Sequence, residues 1–214
     1  MRIKSAVLAT LLSSLALITP QSGFADTLKL VSVGGANSGG EYIYPYNFSV
    51  DGSTSLHALM CLNLNREVTL GEKWNVAVSG LGLDSSQTST DYRADAWIAA
   101  QLDTYSASDV QWAVWDIFDP SDASRSSAFT ANSQHLVSTG LQMANDQTLI
   151  QSGYYANFSL LRPTSDQTGW TDGKPQEFLS ITPIAPTPEP SSFVMLGTGL
   201  IGGLGMLRRR FVRA

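Results

Sequence analysis

The sequence of 214 residues contains a single cysteine, Cys61, and two histidines. One cysteine cannot form an intramolecular disulfide, so the disulfide frameworks of small secreted proteins are excluded. Two histidines and one cysteine also fall short of a structural zinc set, and we expect neither a metal site nor a cofactor. Cys61 is therefore a buried inert thiol, a partner in an intermolecular disulfide, a nucleophile, or a residue consumed by another covalent bond.

Basic residues are scarce in the central part of the chain. Of the 13 Lys and Arg residues, Arg2 and Lys4 lie near the start and four follow residue 207, whereas all 18 acidic residues except Glu189 lie between residues 26 and 187. The central part is therefore strongly acidic. Proteins that bind nucleic acid need clustered Lys and Arg for phosphate contacts, so we expect no nucleic-acid partner.

The apolar run near the start is short. It covers residues 6–18, after Arg2 and Lys4, and small residues follow it up to Ala25. A basic start, a short apolar run and a small-residue site are typical of a secretory signal peptide. We predict a signal peptide over residues 1–25, with cleavage after Ala25 and export of the remainder across the inner membrane.

A second apolar run, residues 193–207, lies near the end of the chain. A proline-rich linker over residues 183–190 precedes it, and Arg208, Arg209, Arg210 and Arg213 follow it. As a helix this run reaches about 22 Å, short of the roughly 30 Å hydrocarbon layer of a bilayer. The run is thus a weak permanent anchor. We still expect a single transmembrane-type helix within residues 191–214, and the arginines should hold its end in the cytoplasm.

Pro188-Glu189-Pro190, the glycine-rich apolar helix and the arginine cluster Arg208, Arg209 and Arg210 stand in a specific order. Together they resemble the PEP-CTERM sorting signal of Gram-negative bacteria. The resemblance implies transient insertion in the inner membrane and processing by a membrane-embedded exosortase. It also implies release or transfer of the protein to the cell surface or to the exopolysaccharide matrix of a biofilm, where the ligand would lie.

The central part, residues 26–182, combines two periodicities. Apolar residues alternate over residues 41–51, 56–65 and 74–78, a pattern that indicates strands, and we expect strands again at 154–161 and 177–182. Between them, apolar residues recur three or four apart, which indicates helices. We predict an α+β domain in which an antiparallel sandwich-like or barrel-like sheet contains a helical insertion.

Three residues predict where the helices begin. Asp91 is expected to cap the first helix. Ser108 is expected to cap the second, with the side chain of Gln111 reaching back to it in a capping box. The second helix should end at Asp119-Pro120, because proline disfavours helical geometry in the preceding residue.

Two short segments carry the clearest chemical signal. Met60-Cys61-Leu62-Asn63 lies on a predicted strand, and Val110-Gln111-Trp112-Ala113-Val114-Trp115 opens a predicted helix. They resemble the paired motifs of the thioester domains of bacterial surface adhesins, although that family prefers an aromatic residue or Leu where this chain has Met60. The resemblance implies an internal thioester between Cys61 and Gln111 and a role in adhesion.

Four further residues can support such a bond. Trp97, Trp112 and Trp115 are expected to shield it from water, and His57, on the same strand face as Cys61, to carry a proton. The ordinary alternatives are that the tryptophans are core residues and that His57 is a half-exposed histidine.

We therefore expect a surface protein that is not an enzyme and that attaches through the thioester. The alternatives are a non-covalent carbohydrate-binding module and a hydrolase of matrix polymer. An exposed aromatic platform would favour the first of these, and paired carboxylates across a cleft the second.

Overall fold

The computed structural model describes residues 25–34, 37–164 and 175–184. The predicted signal peptide before Ala25 and the predicted sorting helix lie outside these residues. Ala25, the predicted cleavage residue, is the first residue of a strand. Within the described ranges no helix is both long enough and apolar enough to cross a membrane.

A closed barrel of six antiparallel strands forms the centre of the fold. The predicted barrel-like antiparallel sheet is thus confirmed. Around the barrel the strand order is β1, β4, β5, β8, β7, β6, and a short hairpin of β2 and β3 lies apart from it. The strands are β1 (Ala25–Val33), β2 (Asn37–Ser38), β3 (Glu41–Tyr42), β4 (Tyr46–Val50), β5 (Leu56–Cys61), β6 (Lys73–Gly80), β7 (Ser159–Pro163) and β8 (Phe178–Ser180).

The helices lie between β6 and β7 as one insertion, and the predicted α+β class is confirmed. α1 packs against α2 and α4, and α2 packs against α4. A short 3₁₀ helix, Tyr154–Asn157, then leads into β7. The helices are α1 (Gln87–Ala99), α2 (Ala107–Phe118), α3 (Pro120–Ala123), α4 (Ala131–Met143) and α5 (Gln147–Gln151).

Strand alternation divides the interior into two cores. On β5, Leu59 and Cys61 pack into one cluster with residues of β1, β4 and β6, whereas the intervening Met60 packs into a second cluster with the helices. On β8, Phe178 and Leu179 divide in the same way. Successive side chains of a strand point to opposite faces, so these strands must be apolar on both.

The strand predicted over residues 41–51 is wrong as a single element. Pro45 separates β3 from β4, since proline lacks the amide hydrogen that a sheet ladder needs. Tyr46, Phe48 and Val50 share the buried face as expected, but Tyr42 is 54% exposed. Likewise, the strand expected from residue 154 begins only at Ser159, because the 3₁₀ helix precedes it.

Both predicted helix caps are wrong. α1 begins after Ser86, whose side chain accepts from the amide of Ser89, and Asp91 lies inside the helix. α2 begins after Ser106, whose side chain accepts from the amide of Asp109 at 3.1 Å. The side chain of Gln111 therefore takes no part in capping. The predicted end of α2 before Pro120 is confirmed.

The packed part of the chain extends past the predicted domain boundary at residue 182. Ile184 is buried in the barrel cluster, and its amide donates to the hydroxyl of Ser159 at 2.9 Å. The predicted linker over residues 183–190 therefore includes one residue, Ile184, that packs in the barrel core.

Candidate functional site at Cys61 and Gln111

Cys61 is the last residue of β5, and Gln111 lies in the first half of α2. Fifty residues separate them in sequence, yet the side-chain nitrogen of Gln111 donates to the backbone carbonyl of Cys61 at 2.8 Å. Both residues have no exposed surface. The fold thus brings the carboxamide and the cysteine together in a place that solvent does not reach.

A second contact fixes α2 against the chain that follows β5. Asp119, which caps the C-terminus of α2, accepts from the amide of Leu64 at 2.9 Å and from the side chain of Asn65 at 3.1 Å. Together with the bond from Gln111 to Cys61, these contacts fasten α2 at two points about two turns apart. The position of Gln111 relative to Cys61 is therefore set by two independent connections.

The Cys61 thiol is held in its protonated form. Burial raises its pKa to about 12, and the negative charge of Asp119 adds to the rise. The indole N–H of Trp115, the backbone of Asn63 and the side chain of Gln176 oppose the rise. The thiol donates to the carbonyl of Asn63 at 3.4 Å.

Two polar atoms of the site have no hydrogen-bond partner among the described residues. They are the side-chain oxygen of Gln111 and the indole nitrogen of Trp115, and both are buried. The indole N–H lies close enough to the sulfur to oppose the rise in its pKa, but it completes no hydrogen bond. Buried polar groups are nearly always paired, so each of these two atoms lowers the stability of the fold while it lacks a partner.

Trp112 and Trp115 form part of the wall around Cys61, in the same apolar cluster. Their rings meet edge to face, with centroids 5.0 Å apart and an interplanar angle of 86°. The indole N–H of Trp112 donates to the hydroxyl of Ser38 at 3.1 Å, which ties the β2–β3 hairpin to α2. Both rings therefore belong to the apolar surroundings of Cys61.

Trp97 and His57 do not join this wall. Trp97 packs in the second cluster, with the helices, while Cys61 lies in the first. His57 lies on the same face of β5 as Cys61, but it is four positions away along the strand, which separates their Cα atoms by about 13 Å. The structure therefore does not bring the imidazole of His57 to the sulfur.

Sequence reasoning missed Gln176 and the role of Asn63. Gln176 is buried just before β8, and its side chain donates to the backbone carbonyls of Asn63, at 3.1 Å, and of Arg66. The side chain of Asn63 accepts from the amide of Glu177 at 2.7 Å, which holds the chain after Cys61 against β8. Strand pairing alone brings these distant residues together, and no local pattern marks Gln176.

Other kinds of site find less support in the described ranges. They contain no group of three or more His, Cys, Asp or Glu side chains placed to hold a metal ion. A shallow groove on the barrel surface is lined by neither a carboxylate nor an aromatic ring. Its lining residues are Thr27, Lys29, Val31, Ser49, Gly52, Ser53, Thr54, Leu56 and Lys73.

The fold and the site together define a small antiparallel β-barrel whose helical insertion places a glutamine against a buried cysteine. Beyond the barrel, residues 186–210 match the PEP-CTERM protein-sorting motif. This match includes the predicted sorting residues Pro188, Glu189, Pro190, Arg208, Arg209 and Arg210. The motif implies export, transient anchoring in the membrane by the C-terminus, and processing by an exosortase.

Comparison of the chain with curated proteins and with solved structures gives no match. The sorting match does not extend into the barrel. The resemblance to thioester domains thus gains no support from these comparisons.

Proposed function

We propose that this exported protein attaches covalently to a partner at the cell surface or in the surrounding matrix, through an internal thioester between Cys61 and Gln111. The observation that carries the proposal is the hydrogen bond of 2.8 Å from the Gln111 side chain to the carbonyl of Cys61. It holds the carboxamide against the backbone of the cysteine, and both residues are fully buried, which supports the pairing. The protein would act once per molecule and would not be an enzyme.

Formation of the bond needs no outside reactant. The sulfur of Cys61 attacks the side-chain carbon of Gln111, the C–N bond breaks, and the thiol proton leaves with the nitrogen as ammonia. The product is an acyl thioester, which is more electrophilic than the amide it replaces. Because the thiol is protonated at neutral pH, the proton must pass to the departing nitrogen during the reaction.

In the attachment step the sulfur is the leaving group, whereas it was the nucleophile when the thioester formed. An amine of the partner attacks the former Gln111 carbon, the C–S bond breaks, and an amide links the two proteins while the Cys61 thiol returns. A partner hydroxyl would give an ester in the same way. Water would destroy the bond by the same route, so its exclusion by Trp112 and Trp115 favours survival until a partner arrives.

Intact mass of the freshly purified mature chain tests the proposal. We expect a mass lower by one ammonia than the sequence requires, and methylamine should add to the chain and release one free thiol. Cys61→Ala and Gln111→Ala should each restore the full mass. Gln134→Ala, which changes an exposed glutamine of α4, should retain the loss.

A full wild-type mass, together with one thiol that titrates after unfolding, would refute the thioester. In that case the buried cysteine is structural, and a non-covalent carbohydrate-binding module becomes the better interpretation.

A further inference from the structure

Trp115 has a buried indole N–H with no hydrogen-bond partner in the described parts of the chain. The side chain is 1% exposed, so bulk solvent does not reach this donor. A buried donor without a partner costs about 1 to 3 kcal/mol, and native proteins retain few of them. A functional reason for this N–H is therefore worth seeking.

The helix places this N–H beside the candidate bond. Trp115 follows Gln111 by four residues on α2, so the two side chains project from the same face one turn apart. Trp115 and Cys61 also share one apolar cluster. The indole N–H is near enough to the sulfur to lower the pKa of the thiol, against the larger effect of burial.

Trp112 provides an internal comparison. It lies on the same helix and in the same cluster, and its ring contacts that of Trp115. Its indole N–H, however, donates to the hydroxyl of Ser38. The two tryptophans therefore differ in the state of the indole N–H. That of Trp112 is already hydrogen-bonded, whereas that of Trp115 has no partner among the described residues and can donate to the sulfur.

We propose that the indole N–H of Trp115 stabilises the sulfur of Cys61 as it leaves, when a partner amine opens the thioester. This inference rests on the proposed function. As the C–S bond breaks, its electron pair goes to the sulfur, and the indole N–H donates to the resulting thiolate. The proton released by the attacking amine then returns to the sulfur as the thiol.

The state of the sulfur explains the missing partner. A thiol is a weak hydrogen-bond acceptor, whereas a thiolate is a charged one, so a donor near the sulfur gains a strong partner only as charge develops. A fixed donor placed where charge appears accelerates the step without needing to reorganise. The other donor near the sulfur, Gln176, already bonds to the carbonyls of Asn63 and Arg66, so it is less available.

The test compares two variants of the mature chain, Trp115→Phe and Trp97→Phe, the second at a tryptophan that packs with the helices outside the wall around Cys61. Both keep an aromatic ring, but only the first removes the unpaired N–H. The rate constant of thioester opening by methylamine should fall at least about tenfold in Trp115→Phe, the effect of losing one hydrogen bond to a charged group. It should not fall in Trp97→Phe, which keeps the donor near the sulfur.

A second readout separates hydrogen bonding from packing. With Gln111→Ala added to each variant, Cys61 is a free thiol, and the pH dependence of its alkylation reports its pKa. Trp115→Phe should shift this profile to higher pH, while Trp97→Phe leaves it unchanged. If Trp115→Phe does not fold, replacement of Trp115 by benzothienylalanine removes the N–H but keeps the ring shape, and the same two results are expected.

The possible failures are distinguishable. Ammonia loss in the wild-type chain with equal methylamine rates in wild type and Trp115→Phe would overturn the role of Trp115 alone. An equal slowing in both variants, with no shift in the thiol profile, would assign the effect to packing and would also overturn it. Absence of ammonia loss in the wild type would remove the proposed function itself, and the role of Trp115 with it.

Discussion

The nitrogen of Gln111 that bonds to the carbonyl of Cys61 at 2.8 Å is the atom that must depart if the two residues become linked. The fold therefore holds the leaving group, while the side-chain oxygen of Gln111 has no partner among the described residues. Four predictions concern stability and bond lifetime: two involve Cys61 and the hairpin that contacts Trp112, and two involve buried charged residues of α1.

Alkaline pH should destabilise the form with a free thiol. In Gln111→Ala, Cys61 has a folded pKa near 12 against an ordinary value of 9.0, so the folded state keeps a proton that the unfolded state has lost. The contribution of this thiol to the free energy of unfolding is fully present below pH 9. It decreases by about 1.4 kcal/mol per pH unit up to about pH 12. Denaturant unfolding from pH 8 to 11 measures this slope.

The double variant Cys61→Ala/Gln111→Ala is the control for the alkaline slope. Burial also raises the pKa of Tyr46, which gives a slope of the same sign in both proteins. The difference between the two proteins isolates Cys61, and equal slopes would contradict the prediction.

Gly39→Ala should shorten the lifetime of the proposed bond. A Cβ at Gly39 would lie 2.7 Å from Cζ2 of Trp112 and 2.8 Å from the hydroxyl oxygen of Ser126, so the hairpin must move away from α2. Water should then reach the site more readily, and spontaneous hydrolysis of the thioester should accelerate several-fold. The gain in intact mass of one water per chain measures this rate.

Gly40→Ala is the matched control for Gly39→Ala. Both glycines have a positive φ, but a Cβ at Gly40 meets nothing within 4 Å. Both variants therefore carry the strain of a positive φ, but only Gly39→Ala meets Trp112, Ser126 and Ala128. Similar hydrolysis rates in the two variants would show that the hairpin does not protect the site.

Asp95→Asn should stabilise the protein at neutral pH. Asp95 is fully buried in α1, and neither carboxylate oxygen has a partner in the described part of the chain. Burial, together with the charge of Asp91, raises its pKa well above the ordinary value. Because the folded state must hold the proton, the stability due to this group is present at low pH and is lost as pH rises.

We expect a gain of at least about 1 kcal/mol in unfolding free energy at pH 7 for Asp95→Asn, the lower end of the cost of an unsatisfied buried group. The gain should shrink toward pH 4. Asp103→Asn, at an exposed position, should change stability little at either pH. A destabilised Asp95→Asn protein at pH 7 would show that the carboxylate is satisfied in solution.

Arg93→Lys should destabilise the helical insertion by about 2 to 4 kcal/mol, because lysine cannot reproduce several directed hydrogen bonds. Arg93 is 1% exposed and donates to the carbonyls of Gly82, Asp84 and Ala144, each at 2.8 Å. These bonds join α1 to the loop before it and to the end of α4. Thermal and urea unfolding at pH 7 measure the loss.

Arg125→Lys is the control for charge alone. Arg125 has a 79% exposed side chain and lies 3.9 Å from Asp122, so its replacement should change stability by less than about 0.5 kcal/mol. If Arg93→Lys cost no more than Arg125→Lys, the buried hydrogen bonds of Arg93 would have to be weak.

The sequence allowed several elements to be predicted because their periodicity is local. Alternation around Phe48 and Leu59 predicted strands, and the spacing of apolar residues in α2 predicted a helix. β1 was not anticipated, although Leu28 and Leu30 are buried in it. Its pattern lies next to the predicted signal peptide, and pairing with β4 and β6 supplies the order that its own sequence does not indicate.

The site was less predictable than the fold. The residues Cys61 and Gln111 were found through short motifs, and the structure brings them into contact. The cap was misplaced because Ser106 and Ser108 are equally suitable by residue type, and only the turn geometry decides between them. Gln176 reaches Asn63 through the β5–β8 pairing, a long-range contact that no local pattern encodes.

Burial of Ile184 has a consequence for export. Four peptide units separate Ile184 from Pro188, so a fully stretched chain spans at most about 14 Å between this packed residue and the sorting motif. Once Ile184 has packed, the motif cannot lie farther than this from the barrel core. An enzyme that processes the motif must then approach the folded barrel to within about that distance, or act before Ile184 has packed.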